Sequence, residues 1–229
     1  MKDLFTIIAK SIPAFLSALL KVLMQPKRFL VAEASDQEHG LSRSLTFGAV
    51  TLGLSVLFGS PFLGDNLFAT AMMFGVMSLL VLIAYLVAVN VAWKLARGRA
   101  TPQENAVVYI YQASVLVLLI PIKTAAVVGA LRSHPYLMDE FGSVEEATLA
   151  GGVSWRLVGD DTAATFLAAF SVGALAVALM WTVLTWGAYR TINRASRGQS
   201  VIAFVLACVF SFPLNIATNM LGILLSQIT

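Results

Sequence analysis

A chain of 229 residues that is 59% hydrophobic and 12% charged departs from a soluble domain, which is roughly half apolar and a quarter charged; one aqueous core cannot hide the excess. Its lone cysteine, Cys208, excludes intrachain disulfides and cysteine-based metal sites. The net charge of +3 says less than the positions of the cations.

Residues 1–43 read as a cytoplasmic, interfacial segment. The stretch DLFTIIAKSIPAFLSALLKVLMQP is cut by Lys10 and Lys21, contains Pro13 and lacks a small-residue cleavage site, so it is neither a signal peptide nor a span. On a helical wheel Asp3, Thr6, Lys10, Ser17 and Lys21 share one narrow side, with Phe5, Ile8, Ile12, Phe15, Leu16, Leu19 and Leu23 around the rest. Such an amphipathic helix lies in the membrane surface with its lysines near anionic headgroups, or packs as scaffold against the other helices.

Residues 44–229 read as an all-α, polytopic transmembrane helix bundle of five spans, at about 44–63, 68–94, 104–131, 162–189 and 199–225. Four stretches without charge, Leu45–Leu63, Leu67–Trp93, Thr162–Tyr189 and Gly198–Thr229, reach the roughly 18 to 20 residues that cross a bilayer core of about 30 Å. Ala49 with Gly53 and Ser55 with Gly59 in span one, and Ala169 with Gly173 and Ala174 with Ala178 in span four, are small residues four apart, a spacing that lets helices pack closely.

Span three begins in water. Thr101 is placed as N-cap, Pro102 suits the first helical position, and Glu104 completes a reciprocal capping box. Tyr109 and Tyr111 follow at the headgroup level, and ASVLVLLIPI then meets hydrocarbon. Pro121 removes an internal hydrogen bond and should kink the helix. Lys123 lies about 7 Å beyond the midpoint towards the external face, from the helical rise. Its stem either snorkels to the outer headgroups or faces the bundle and offers a positive group to an anionic solute or headgroup.

The external loop 132–161 carries Asp139, Glu140, Glu145, Glu146, Asp160 and Asp161 as solvated charge whose spacing matches no oxygen-ligand loop. Ser143 with Glu146 suggests a capped short helix ended by Gly151 and Gly152, and Trp155 an interfacial anchor. In span four Trp186 and Tyr189 lead into Arg190 as a cytoplasmic interfacial belt. In span five Asn215 and Asn219 follow Pro213 on one face, suited to interhelical hydrogen bonds or to a polar binding surface.

Orientation follows from the cations. Lys2, Lys10, Lys21, Lys27, Arg28 and Arg43 precede span one; Lys94, Arg97 and Arg99 lie between spans two and three; Arg190, Arg194 and Arg197 lie between four and five. The opposite loops hold only Arg132 and Arg156, which puts the N-terminus in the cytoplasm and the C-terminus outside. His39 and His134 then lie on opposite sides of the membrane and cannot share a metal or form one acid/base pair. No phosphate-binding glycine loop occurs. The expectation is therefore a non-enzymatic protein with no catalytic residue, cofactor or metal, and with no nucleic-acid partner.

Three stretches resemble the Yip family, membrane proteins named for interacting with Ypt/Rab GTPases. LMQPKRFLVAEA (residues 23–34) resembles the family's Leu-x-x-Pro-x-x-Phe segment before its first span. ARGRATPQENAVVYIYQAS (96–114) resembles the glycine, polar cap and tyrosine that open its third span, and NRASRGQSVIAF (193–204) is similar to the basic, glycine-containing loop before its last. The resemblance implies five spans and a cytoplasmic N-terminus over nearly the whole chain. Gln112 in place of the glycine that follows the tyrosine in eukaryotic members, and a short N-terminal region, point to a prokaryotic-type member in the plasma (inner) membrane.

Two functions fit. One is a membrane organiser or partner-binding adaptor, its cytoplasmic face built from Pro26, Lys27, Arg28, Phe29, Gly98, Arg99, Arg194 and Arg197, contacting the lipid bilayer and a protein partner or a second copy. The other is a small transporter, channel or lipid-handling protein with an intramembrane site at Pro121, Lys123, Asn90, Asn215 and Asn219.

Overall fold

The computed structural model describes residues 2–59, 67–134, 136, 159 and 161–226, with side chains described for 12–58, 79–134, 136, 159 and 161–214. Among the described residues there are eight helices: α1 (Lys2–Met24), α2 (Pro26–Ser35), α3 (Gly40–Gly59), α4 (Leu67–Leu95), α5 (Pro102–Val117), α6 (Leu119–Ser133), α7 (Thr162–Ile192) and α8 (Arg197–Ser226). Among the described residues there is no strand. The capped helix expected around Ser143 and the anchor at Trp155 lie outside the described residues.

Among the described residues four helical stretches are long and apolar enough to cross a membrane: Gly40–Phe58, Pro102–Ser133 (α5 with α6), Thr162–Ile192 and Arg197–Leu214. The outward surface of α7 agrees, since Phe166, Val172, Leu175, Leu179, Met180 and Val183 are each more than half exposed. A contiguous apolar surface of that kind belongs against lipid or another protein. The architecture fits an integral membrane protein.

Two compact units can be distinguished. The first comprises Met1–Val50, Met72–Ala113 and Leu184–Thr229. An aromatic chain runs through it: Phe15 of α1 stacks on Phe47 of α3 at 4.8 Å between ring centroids, Phe47 lies 4.9 Å from Tyr111 of α5, and Phe29 of α2 meets Tyr111 edge-on at 5.1 Å. Such pairs add to the gain from burying each ring.

The α2–α3 turn has its own logic. Pro26 opens α2, where a missing N–H costs nothing. Asp36 accepts from the N–H groups of Glu38 (3.2 Å) and His39 (3.0 Å) through one oxygen, and from Arg43 (2.6 Å) through the other. Arg43 also donates to Glu33 at 2.8 Å. Gly40 fits here because a Cβ would stand 2.1 Å from the Glu33 carbonyl oxygen. The N–H of His39, then the Arg43 guanidinium, hold the Asp36 carboxyl below its usual value.

The second unit comprises Thr51–Ala71 and Ser114–Val183. Its core packs Val127 and Leu131 of α6 against Ala163, Ala164 and Leu167 of α7. Asp161 caps α7 by accepting the Ala164 N–H at 2.8 Å, and it also accepts the Tyr136 hydroxyl. At Pro121 the hydrogen-bond ladder is interrupted between α5 and α6, while Leu118 at the junction keeps helical dihedrals (φ −65°, ψ −19°). Proline has no N–H to return to the carbonyl four residues back, that of Val117. Ser55 of α3 supplies the missing donor, its hydroxyl 3.3 Å from the Val117 oxygen.

Candidate functional site

Two short basic loops of the first unit share one construction. At the end of α4 the Gly98 N–H donates to the Trp93 carbonyl (2.8 Å) and the Arg97 N–H to that of Lys94 (3.0 Å). At the end of α7 the Ala195 N–H donates to the Arg190 carbonyl and the Arg194 N–H to that of Thr191, both at 3.1 Å. Both are Schellman endings, whose left-handed residue is usually glycine. Here it is arginine twice, Arg97 with φ 63° and Arg194 with φ 49°.

Each loop leaves through a reciprocal capping box. Thr101 and Glu104 exchange bonds of 2.6 and 3.2 Å at the start of α5, as their spacing predicts. Ser196 and Gln199 do the same at the start of α8, at 2.9 and 3.3 Å.

Asn193 ties the loops together. Its carbonyl accepts the Arg99 N–H at 3.1 Å and its Oδ1 accepts the Ala100 N–H at 3.2 Å. Its Nδ2 donates to the Tyr189 carbonyl (3.0 Å) and to Asn105 Oδ1 (2.9 Å). Asn105 Nδ2 donates to Asn90 Oδ1 (3.1 Å), and Asn90 Nδ2 to the Leu86 carbonyl (3.0 Å). A backbone donor at one end and a backbone acceptor at the other fix the orientation of all three amides, so none can flip alone. Asn105 and Asn193 are 2% and 1% exposed. Gly98 is needed here, since a Cβ would stand 2.3 Å from Asn193 Oδ1.

Aromatic side chains pack beside this relay. Trp93 stacks on Trp186 at 5.2 Å and on Tyr189 at 6.1 Å, and Trp186 meets Phe204 of α8 edge-on at 5.1 Å. The Trp186 indole N–H donates to Ser200 Oγ at 2.9 Å. Two readings from the sequence change here: Tyr189 and Tyr111 are buried inside the protein rather than standing at a lipid interface, because α4 covers the first and α2 with α3 the second.

The residues expected to form a partner face belong to this unit. Lys27, Arg28, Arg99, Arg194 and Arg197 are exposed; Pro26, Phe29 and Gly98 are half-buried and pack the fold. The Lys27 stem rests on α7, its Cδ 3.6 Å from where a Gly187 Cβ would be. None of the exposed cations forms an ion pair among the described residues, where the only ion pairs are those of His39 and Arg43 with nearby acids.

Of the intramembrane candidates, Asn90 is committed to the amide relay. Pro121 is buried in α6, and Lys123 is half-buried without a hydrogen bond or ion pair to a described residue. The Asn215 and Asn219 side chains lie outside the described ones. Sequence reading missed Asn105 and Asn193. Their only signal was position, an amide at the helix end on each basic loop with Asn90 one turn before Lys94. No family model matches this chain, and no curated protein or solved structure is similar to it.

Proposed function

We propose that the chain is a non-enzymatic, five-span membrane protein of Yip-like, prokaryotic type, with a cytoplasmic N-terminus and an external C-terminus. In this reading it organises membrane or binds partners through its basic loops and α1. One observation carries it: the three stretches that resemble the family meet. Phe29 of the first packs on Tyr111 of the second, and Asn193 of the third holds Arg99, Ala100 and Asn105 of the second. Their meeting is what the reading requires if the three stretches build one device on the cytoplasmic side.

The surface of α1 supports the membrane part of the reading. At about 100° per residue, Phe15 and Val22 share one stripe, buried against the protein. Ile12, Leu16, Leu20 and Leu23, between 38% and 59% exposed, fall about 60 to 140° round from it. Ser17 and Lys21 follow at about 200 to 240°. A helix docked by one stripe, with an apolar stripe and then a polar one outward, suits the interface between acyl chains and headgroups. Helix α4, 29 residues long and without a charge before Lys94 in its last turn, would supply the fifth span.

Photoreactive residues at Lys27 and Arg28 test the partner reading: captured protein that disappears when residues 1–26 are deleted supports it. Flux in liposomes tests the transport alternative, which keeps one observation in its favour, the half-buried Lys123 with no hydrogen bond or ion pair among the described residues. Transport abolished by Lys123→Leu and untouched by charge reversal at Arg194 and Arg197 would reject the organiser.

A further inference from the structure

The two left-handed arginines have no explanation in topology or helix electrostatics. A positive-inside count is satisfied by a cation anywhere in a short loop, and Arg99 and Arg197 already stand at neighbouring positions with ordinary φ. The negative C-terminal poles of α4 and α7 already have Lys94 and Arg190 in their last turns. Yet the chain puts arginine at the two backbone positions where a side chain is least favoured and glycine most.

The hydrogen bond from the Arg99 N–H to the Asn193 carbonyl joins the loops at the peptide that leads into Arg194. Arg97, Arg99, Arg194 and Arg197 therefore leave the backbone around a single junction held by the asparagine relay. All four are exposed. The nearest acid along these loops, Glu104, is taken by the Thr101 N–H. Four exposed arginines that leave the backbone around one junction, with no ion pair among the described residues, call for an anion, and phosphate oxygens match the fork geometry of guanidinium.

What lies alongside selects the source of the phosphate. Leu95 just before the first loop and Val201 just after the second are 59% and 62% exposed, on helices apolar enough to meet acyl chains. An acidic soluble peptide has no use for those flanks; a phospholipid has its headgroup and its chains at this boundary. Resting on the proposed membrane-organising role of the basic face, we infer that the paired loops form a headgroup site for anionic phospholipid, with Arg97, Arg99, Arg194 and Arg197 as its phosphate ligands.

The test uses the full chain in nanodiscs of phosphatidylcholine with or without phosphatidylglycerol, followed by native mass spectrometry of the lipid retained after extraction. The double substitution Arg97→Gly/Arg194→Gly keeps the left-handed backbone and removes two ligands. Its melting temperature should be no lower than the parent's, while retained phosphatidylglycerol falls about tenfold, the loss of charge-assisted contacts. Lys94→Gln/Arg190→Gln removes equal charge at ordinary positions and should leave retention within about twofold, as expected of exposed, screened charges.

Retention unchanged in the glycine variant, an equal fall in both variants, or phosphatidylcholine held as well as phosphatidylglycerol would overturn the inference. So would full displacement of the lipid by inorganic phosphate or by an acidic peptide at matched charge, which would make this a site for soluble anions. The partner reading fails separately, through absent cross-links at Arg28, a position outside the site.

Discussion

Asn193 makes more connections than any cation near it: its amide and its backbone carbonyl together accept two backbone N–H groups and donate to a carbonyl and a second amide. Truncating it strands the Asn105 acceptor in a buried site. A buried polar group left without its partner costs about 1–3 kcal/mol, so Asn193→Ala should lower stability by at least that much in thermal unfolding. Asn193→Asp is informative because it keeps the shape and the acceptor facing Ala100 but sets an oxygen against Asn105 Oδ1, and Asn105 cannot turn without losing Asn90. It should be as damaging as alanine, or more so. Gly98→Ala attacks the same joint from the other side, with overpacking of about 1–3 kcal/mol, and combined with Asn193→Ala it should cost less than the sum, because the clash with Oδ1 is then gone and, of the nearest contacts, only the Trp93 carbonyl, 3.0 Å from the added Cβ, remains. Additive losses would mean that Gly98 and Asn193 do not act as one joint.

At the scale of elements, the capping box of α5, the hydrogen bond removed by Pro121 and the apolar lengths of the helices were legible in the sequence, because each rests on a local rule with a fixed offset. The relay was not, since an asparagine at a helix end reads as a local cap and nothing in one sequence says that three of them meet. Ser55 was equally hidden: it was visible as a small packing residue, not as the donor for Val117. If that pairing offsets the proline, Ser55→Ala should cost about 1 kcal/mol, the net worth of one hydrogen bond. In a Pro121→Ala background, where the N–H of residue 121 returns to Val117, the same change should cost nearly nothing. A full loss in both backgrounds would assign Ser55 to packing alone.

The α2–α3 turn makes a second element-scale prediction. Asp36 is held below its usual carboxylate value by the His39 N–H and Arg43, so its contribution is complete above the unfolded value of about 3.9 and is lost as pH falls through the lower folded one. Asp161 is lowered in the same direction, by the Tyr136 hydroxyl and the Ala164 N–H. Melting temperature should therefore be insensitive to these two groups between about pH 5 and 8 and drop below about pH 4. Asp36→Asn should flatten that acid limb in part, and Asp36→Asn with Asp161→Asn further. An acid limb unchanged in the double variant would assign it to other carboxylates.

For the whole molecule, the alternation of cations and the convergence of the three family-like stretches make a joint demand that neither makes alone. Lys27, Arg28, Arg97, Arg99, Arg194 and Arg197 belong to one compact unit, while Lys123 and Arg132 belong to the other. Clustering of that sort is what a positive-inside membrane protein should show when its loops fold together, yet a basic docking face on a differently threaded chain would show it too. The two differ in the parity of the spans. With Cys208 replaced by serine, single cysteines at Gln37 and Arg99, both exposed, should react with a membrane-impermeant maleimide only after the cells are opened. One at exposed Thr162 should react in intact cells. The same side for Arg99 and Thr162 would mean that the intervening 32-residue apolar stretch Pro102–Ser133 re-enters instead of crossing.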